Sequence, residues 1–178
     1  MHRLFVAILA VLSFSGCKNE NSFFFPVSEY SKRWIPTNQD SIVFTASNGD
    51  TNYLVFDKYS TSNIPFGENV IVQQISQQGY STDSGFIVNY LLSAGAPYPD
   101  SLGKPVKVDL LRIASLLTLK EIQISNTTIT GSIDFLDSLT LNTGETYYDV
   151  FTDNTAYYFT LNDYVIRFYN GSQWFDKN

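Results

Sequence analysis

From residue 41 onward the chain is a succession of short runs rich in Val, Ile, Thr, Tyr and Phe, each cut off by a cluster of Asn, Asp, Gly or Ser. Runs of this length suit strands and are too often interrupted for long helices. The texture therefore predicts an antiparallel all-β fold rather than alternating β-α units. A sandwich, a barrel or a strongly curved open sheet all satisfy it, with at most one short helix. With 44% hydrophobic and only 16% charged residues in 178, the chain has enough apolar material for a packed core. No repeat or linker divides it, which predicts a single domain over residues 41–178.

Several strands can be placed. Residues 41–46 and 53–59 flank Ser47-Asn48-Gly49-Asp50, and Asn-Gly is a strong hairpin signal. Residues 69–76 and 85–92 read as the next pair, joined across 77–83, with Phe86, Val88, Tyr90 and Leu92 on one face. Residues 94–105 carry Gly and Pro and read as a loop. Residues 108–121 fit two descriptions. Leu110, Ile113, Ala114 and Leu117 have helical spacing with Asp109 as a cap, whereas Val106, Val108 and Leu110 alternate as in a bent or bulged strand. Strands over 121–125, 128–141, 146–152, 157–161 and 164–169 follow. Asp137 breaks the odd-numbered apolar face of the second of these, and Asn170-Gly171-Ser172 turns the chain into Gln173-Trp174-Phe175. About ten strands are expected in all.

The amino-terminal segment is of another kind. Met1-His2-Arg3 is followed by an apolar run over residues 4–12, far short of the roughly 20 residues that span a bilayer as a helix. That layout is a secretory signal peptide, expected to occupy residues 1–16. Its end, Phe14-Ser15-Gly16-Cys17, resembles the lipobox of bacterial lipoproteins, with Phe14 where Leu is usual. The resemblance implies cleavage between Gly16 and Cys17 and acylation of Cys17. Two or three acyl chains, at about 0.8 kcal/mol per buried methylene, anchor a protein stably. Residues 17–40 then read as a lipidated tether and lead-in. Lys18-Asn19-Glu20 lacks the Asp that retains enterobacterial lipoproteins in the inner membrane, so the expectation is a cell-envelope protein at the outer membrane, with its face open.

Composition excludes several functions. Cleavage removes Arg3 and leaves 10 basic against 17 acidic residues, scattered singly, which disfavours nucleic acid as a partner. The one His, His2, lies in the signal peptide, and the one Cys is Cys17. A Ser-His-Asp triad, a Cys-His pair and a His-ligated zinc site therefore have no residues to draw on in the mature chain. Phosphate-binding glycine loops and the Gly-x-Ser-x-Gly elbow are absent from the sequence, and no cofactor is expected. Carboxylate-only catalysis, as on glycans, needs just two Asp or Glu residues and survives.

Two stretches resemble small lipoproteins of the Bacteroidota. Near the amino end these are Phe25-Pro26, Arg33-Trp34-Ile35-Pro36, Asp40-Ser41-Ile42-Val43-Phe44 and Asn48-Gly49-Asp50-Thr51. Near the carboxyl end they are Gly144-Glu145-Thr146-Tyr147-Tyr148-Asp149-Val150, Tyr157-Tyr158-Phe159, Val165-Ile166-Arg167-Phe168 and Asn170-Gly171 with Trp174. Such proteins often carry Gly just before the Ile-x-Phe strand, where this chain has Tyr164 and Val165. The resemblance implies an anchored lipoprotein and brings no catalytic residues.

Candidate sites are few. The 12 Tyr and 14 Phe fill a core or line a cleft, and Tyr147-Tyr148 and Tyr157-Tyr158 would each place one ring on either sheet face. Asp40-Ser41-Ile42, Asp100-Ser101-Leu102 and Asp137-Ser138-Leu139 resemble the O-glycosylation motif of exported Bacteroidota proteins, with Ser101, in the expected loop, the leading acceptor. Asn126-Thr127-Thr128 and Asn170-Gly171-Ser172 match the eukaryotic sequon, which a bacterial lipoprotein gives no reason to use. Asp149, Asp153 and Asp163 are calcium-type ligands without the spacing of a calcium loop, and no metal site is assigned. The expected role is a non-enzymatic binding or envelope-assembly module held on the membrane through acyl chains, its partner a glycan, an apolar ligand or an envelope protein. A carboxylate-dependent glycan enzyme and a purely structural lipoprotein are the alternatives.

Overall fold

The computed structural model describes residues 22–36, 41–66, 68–82, 85–95, 98–99, 105–115, 118–125 and 128–178. Its elements begin with β1 (Phe23–Phe25), the single helical turn α1 (Glu29–Lys32), β2 (Ile42–Ala46), β3 (Thr51–Phe56), β4 (Ser60–Pro65), β5 (Val70–Ser81) and β6 (Ile87–Ser93). They continue with β7 (Tyr98–Pro99), β8 (Pro105–Val106), β9 (Asp109–Ser115), β10 (Leu119–Ile124), β11 (Ile129–Gly131) and β12 (Asp134–Thr140). Last come β13 (Thr146–Thr152), β14 (Tyr157–Thr160), β15 (Tyr164–Tyr169) and β16 (Trp174–Lys177). The fold is all-β. Fourteen strands form one open sheet, antiparallel except where β1 runs parallel to β5.

The main path of that sheet is β11-β10-β9-β6-β5-β3-β2-β16-β15-β14-β13-β12. Its two end strands, β11 and β12, are consecutive in the chain and separated only by Ser132 and Ile133. Gly131 and Asp134 therefore lie within about 11 Å of each other. A sheet whose ends are tied by so short a connection has to curl round on itself. Contacts across the enclosed space agree with this. Phe86, just ahead of β6, stacks on Phe168 of β15 with ring centroids 4.6 Å apart, and Phe168 also meets Phe44 of β2 at 5.0 Å and its cross-strand neighbour Phe175 at 5.2 Å. Near the meeting ends, the Thr118 hydroxyl donates to Asp153 Oδ2 at 2.5 Å. Phe86, Val88, Tyr90 and Leu92 line the core as their alternation predicts, all of them buried.

The Asn48-Gly49 hairpin is present, with Gly49 at φ +89°. Elsewhere the structure corrects the strand boundaries. Residues 77–81 belong to the strand β5: the Gln77 amide donates to the Asp57 carbonyl, and Gly79 sits where a Cβ would fall 2.6 Å from the Phe56 ring. Residues 60–65, exposed along their length and polar up to Asn63, form β4, which no alternation marks. Residues 108–121 are neither a helix nor one bulged strand but most of the β9–β10 hairpin. Asp109 caps no helix; it is buried and accepts the Ser28 and Gly95 amides at 2.9 and 3.3 Å. The expected loop over 94–105 contains the short β7–β8 ladder. Residues 128–141 split at Ser132 and Ile133 into the two opposite ends of the sheet.

The lead-in is part of the fold. α1 is capped by Ser28, whose hydroxyl accepts the Ser31 amide. Around it Val27, Trp34 and Ile35 are buried in the main core, and the Val27 amide is taken by Gln73 Oε1.

A second, smaller apolar cluster of Leu141, Tyr147, Val150 and Ile166 lies on the opposite face of the sheet, since the neighbours Phe151 and Val165 face the main core. The β12–β13 hairpin covers it. β13 pairs with β14 only through Phe151 and Thr152, and beyond that the hairpin bends at Asp149, a residue at φ +53°. Asp137, directly opposite Asp149, drops out of the ladder, so the expected break in that strand's apolar face has a physical counterpart. The hairpin's turn then reaches β16, where the Asn142 amide donates to Asp176 Oδ2 at 2.8 Å. Asp176 is fully buried and holds Arg167 through Nε at 2.5 Å and Nη2 at 3.0 Å. The guanidinium lies 5.9 Å from the rings of both Tyr158 and Trp174. Such a pair orders the outer face because losing either partner strands a buried charge.

Two stability measurements test this architecture. A Cβ at Gly131 would sit 2.2 Å from the Glu121 carbonyl oxygen, so Gly131→Ala is expected to cost about 1–3 kcal/mol by overpacking, read as a lowered urea midpoint. Phe168→Ala removes the ring shared by three aromatic partners and is expected to cost about 3–5 kcal/mol in the same assay.

Candidate functional site

The bend at Asp149 opens a cleft of about 630 Å3 between the β12–β13 hairpin, the β14–β15 turn and the α1 segment. A left-handed conformation is uncommon outside glycine, and Asp is among the residues that tolerate it. That one dihedral turns the first half of β13 away from β14 and leaves a gap beside it.

One wall is aromatic. Trp34 meets Phe151 edge-on at 5.0 Å and Phe159 at 6.1 Å, while Phe135 meets Phe151 at 5.4 Å. Tyr148, 70% exposed, and Phe135, also exposed, present rings at the rim. Trp34 is held from beneath by the buried lead-in, and Phe151 stacks on Phe159 at 5.6 Å, so this wall is fixed before any ligand arrives.

The cleft is also lined by Glu145, Asp149 and Asp163. The Tyr147 hydroxyl donates to Glu145 Oε2 at 2.7 Å. Burial first, and then that hydrogen bond and the neighbouring carboxylates, push the Tyr147 phenol above its ordinary range, so it stays a neutral donor. Asp163 accepts from Lys177 at 2.9 Å and from the Thr160 hydroxyl at 3.2 Å, and the Lys177 ammonium lies 5.8 Å from the Tyr147 ring centroid. Hydrogen-bond acceptors and aromatic rings thus line one open cleft. That combination suits a polar ligand with an apolar face.

The residues singled out in the sequence fall in different places. Gly16, Cys17 and Ser101 lie outside the described residues, as do Asn126 and Thr127. Ser41 is exposed just ahead of β2, and Ser138 is exposed on the end strand β12, so both hydroxyls are accessible. Tyr147 is buried and Tyr148 exposed, as adjacent strand residues require; Tyr157 fills the main core while Tyr158 packs on the outer cluster. Of the three Asp residues considered for calcium, Asp149 and Asp163 share the cleft but Asp153 does not. No group of three or more His, Cys, Asp or Glu among the described residues is arranged to hold a metal. Sequence reasoning missed Trp34 and Phe135 as site residues, because both depend on which distant elements the curl brings together.

Asp153 has a structural role. Its Oδ1 accepts the amides of Thr155, Ala156 and Tyr157 at 2.9, 2.8 and 3.2 Å, and Oδ2 takes the Thr118 hydroxyl. Burial is the largest single influence and opposes ionisation, but the amides and the hydroxyl together outweigh it and hold the carboxyl below its usual range.

No protein-family model, curated protein or solved structure matches this chain.

A carboxyl whose pKa is lower folded than unfolded stabilises the fold above its unfolded pKa, and that contribution is lost as pH falls through its folded value. Replacing Asp153 by Asn is therefore expected to lower the urea midpoint at neutral pH and to matter progressively less below about pH 4. Midpoints of the two proteins measured across that range check the sign.

Proposed function

We propose that this protein is an envelope lipoprotein, anchored by acylated Cys17, that binds a saccharide non-enzymatically in the cleft at the β12–β13 bend. The observation carrying the ligand class is that the aromatic cluster of Trp34, Phe135 and Phe151 and the acceptors Glu145, Asp149 and Asp163 line the same cleft. Sugar rings have one apolar face and a rim of hydroxyl donors, which such a cleft complements. Tyr148 at the rim adds a ring able to stack on the next residue of a chain. The lipobox Phe14-Ser15-Gly16-Cys17, at the end of an apolar run, supports the anchor. Acyl chains would then hold the cleft at a membrane surface without any transmembrane segment.

Three carboxylates in one open cleft favour a second reading, carboxylate-dependent glycan hydrolysis. Against it, Asp163 is tied to Lys177, and Glu145 is already accepting from Tyr147.

Both are separated by one set of measurements. Native protein extracted from its membrane should show the mass of a diacylglyceryl group at Cys17. Titration with envelope oligosaccharides, followed by calorimetry, should show binding that Tyr148→Ala or Phe135→Ala weakens roughly 3- to 10-fold with the fold intact. Unchanged affinity in both variants would rule out this cleft. Release of new reducing ends, lost in Asp149→Asn, would establish hydrolysis in place of binding.

A further inference from the structure

The strands β3 and β4 run end to end along one side of β5, and the two ends of this track differ in chemistry. At one end is the β2–β3 turn, Ser47-Asn48-Gly49-Asp50, polar and exposed. At the other, β4 changes from Ser60-Thr61-Ser62-Asn63 to Ile64-Pro65-Phe66 before turning into Val70-Ile71-Val72. Glu68 is the one charged residue between positions 60 and 72.

β1 completes this tip. It pairs with the first residues of β5, Phe23 opposite Val70, Phe24 opposite Ile71 and Phe25 opposite Val72, while Ile64 of β4 lies opposite Val72 from the other side. The two-residue period puts Phe23, Phe25, Val70, Val72 and Ile64 on one face, and Phe24, Ile71 and Pro65 on the other. Both faces are apolar. Phe25, Val70 and Val72 pack on the main core, whereas Phe23 and Phe66 are each 63% exposed and Phe24 49%, so these three rings stand clear of it. A shallow apolar groove of about 380 Å3 continues from Ile64 and Phe66 across Val72 to Leu110. Exposed apolar surface gathered at one projecting end, with the opposite end polar, marks a contact surface.

What it contacts follows from chain length. Phe23 is six residues after Cys17, and six extended residues reach at most about 21 Å. An acylated Cys17 therefore keeps the lipid surface within that distance of the tip, whichever way the tether runs. We infer that the β1, β4 and β5 tip sits in the interfacial layer of the membrane that holds the acyl chains, with Phe23, Phe24 and Phe66 among the lipid headgroups. The inference rests on the Cys17 anchor proposed above. Acyl chains alone would leave the domain free to swing on its tether. A second contact at the tip fixes its orientation and points the β2–β3 turn away from the membrane.

The test uses the full-length protein with its processed amino terminus. Acylation leaves Cys17 without a free thiol, so Glu68→Cys, in the tip turn, offers one position for an environment-sensitive fluorophore, and Ser47→Cys offers the control at the far end. Each labelled protein is reconstituted into phosphatidylethanolamine and phosphatidylglycerol vesicles containing lipid spin-labelled near the headgroup. Emission is expected to be lost at position 68 and kept at position 47. Adding Phe23→Ser and Phe66→Ser should restore emission at 68 while the protein still floats with the vesicles. Equal emission at both positions in an acylated, floating protein would overturn the membrane contact alone. Shielding of position 68 from aqueous iodide without quenching by the spin-labelled lipid would assign the tip to a protein partner or a second copy, and overturn it likewise. A Cys17 found unacylated by mass spectrometry would remove the anchor and this inference together.

Discussion

The rest of the structure depends on one connection. Because Ser132 and Ile133 alone separate the two end strands of a long sheet, that sheet must close on itself in space without closing its hydrogen-bond ladder. Everything enclosed is then shared between strands far apart in sequence: Phe86 against Phe168, Phe56 against Tyr164, Trp34 against Phe151. Aromatic rings suit this geometry, since each covers a large area and bridges the gap between opposite walls with few side-chain torsions to fix. The abundance of Phe and Tyr in the chain is accounted for by the span they have to fill.

A curled sheet of this kind has an outer face that needs cover, and the bend at Asp149 supplies it. By leaving the sheet after two pairs with β14, the β12–β13 hairpin folds its Tyr147 and Val150 over Ile166 of β15 and docks its turn on Asp176. The cleft is a consequence of the same bend, because a hairpin that leaves the sheet opens a gap on the side it leaves. Cover and cleft therefore share a cause, and the aromatic rings and the acceptors that line the cleft belong to elements joined by it. Tyr164, at the start of β15, is another non-glycine residue in the left-handed region, at φ +58°. Its ring packs against Phe56 at 6.5 Å, across the enclosed space.

How much of this was legible in the sequence depended on whether the signal was local. Alternation over 86–92 and the Asn48-Gly49 turn are local, and both stand in the structure as expected. β4 was invisible because its residues are exposed on both faces, so no period exists to detect. Residues 108–121 were ambiguous because a tight hairpin of two apolar strands contains helical spacings by coincidence; the turn between Ser115 and Thr118, not the periodicity, decides it. Asp137 was legible as an irregularity, but its cause lies across the ladder in Asp149. The cleft could not be read at all, since Trp34, Phe135 and Asp163 are brought together only by the curl.

The same distinction explains why the amino-terminal segment was underread. Phe23-Phe24-Phe25 looks like an extension of a tether because no neighbouring run alternates with it. In the fold it is a strand added in parallel to an existing edge, which only long-range pairing can produce. Once paired, it sets Phe23, Phe24 and Phe25 beside Val70, Ile71 and Val72. Residues 22–36, which fall within the expected tether and lead-in over 17–40, thus belong to the packed domain. Val27, Trp34 and Ile35 sit in the main core and Trp34 also lines the cleft, so a segment with no periodicity of its own supplies part of both.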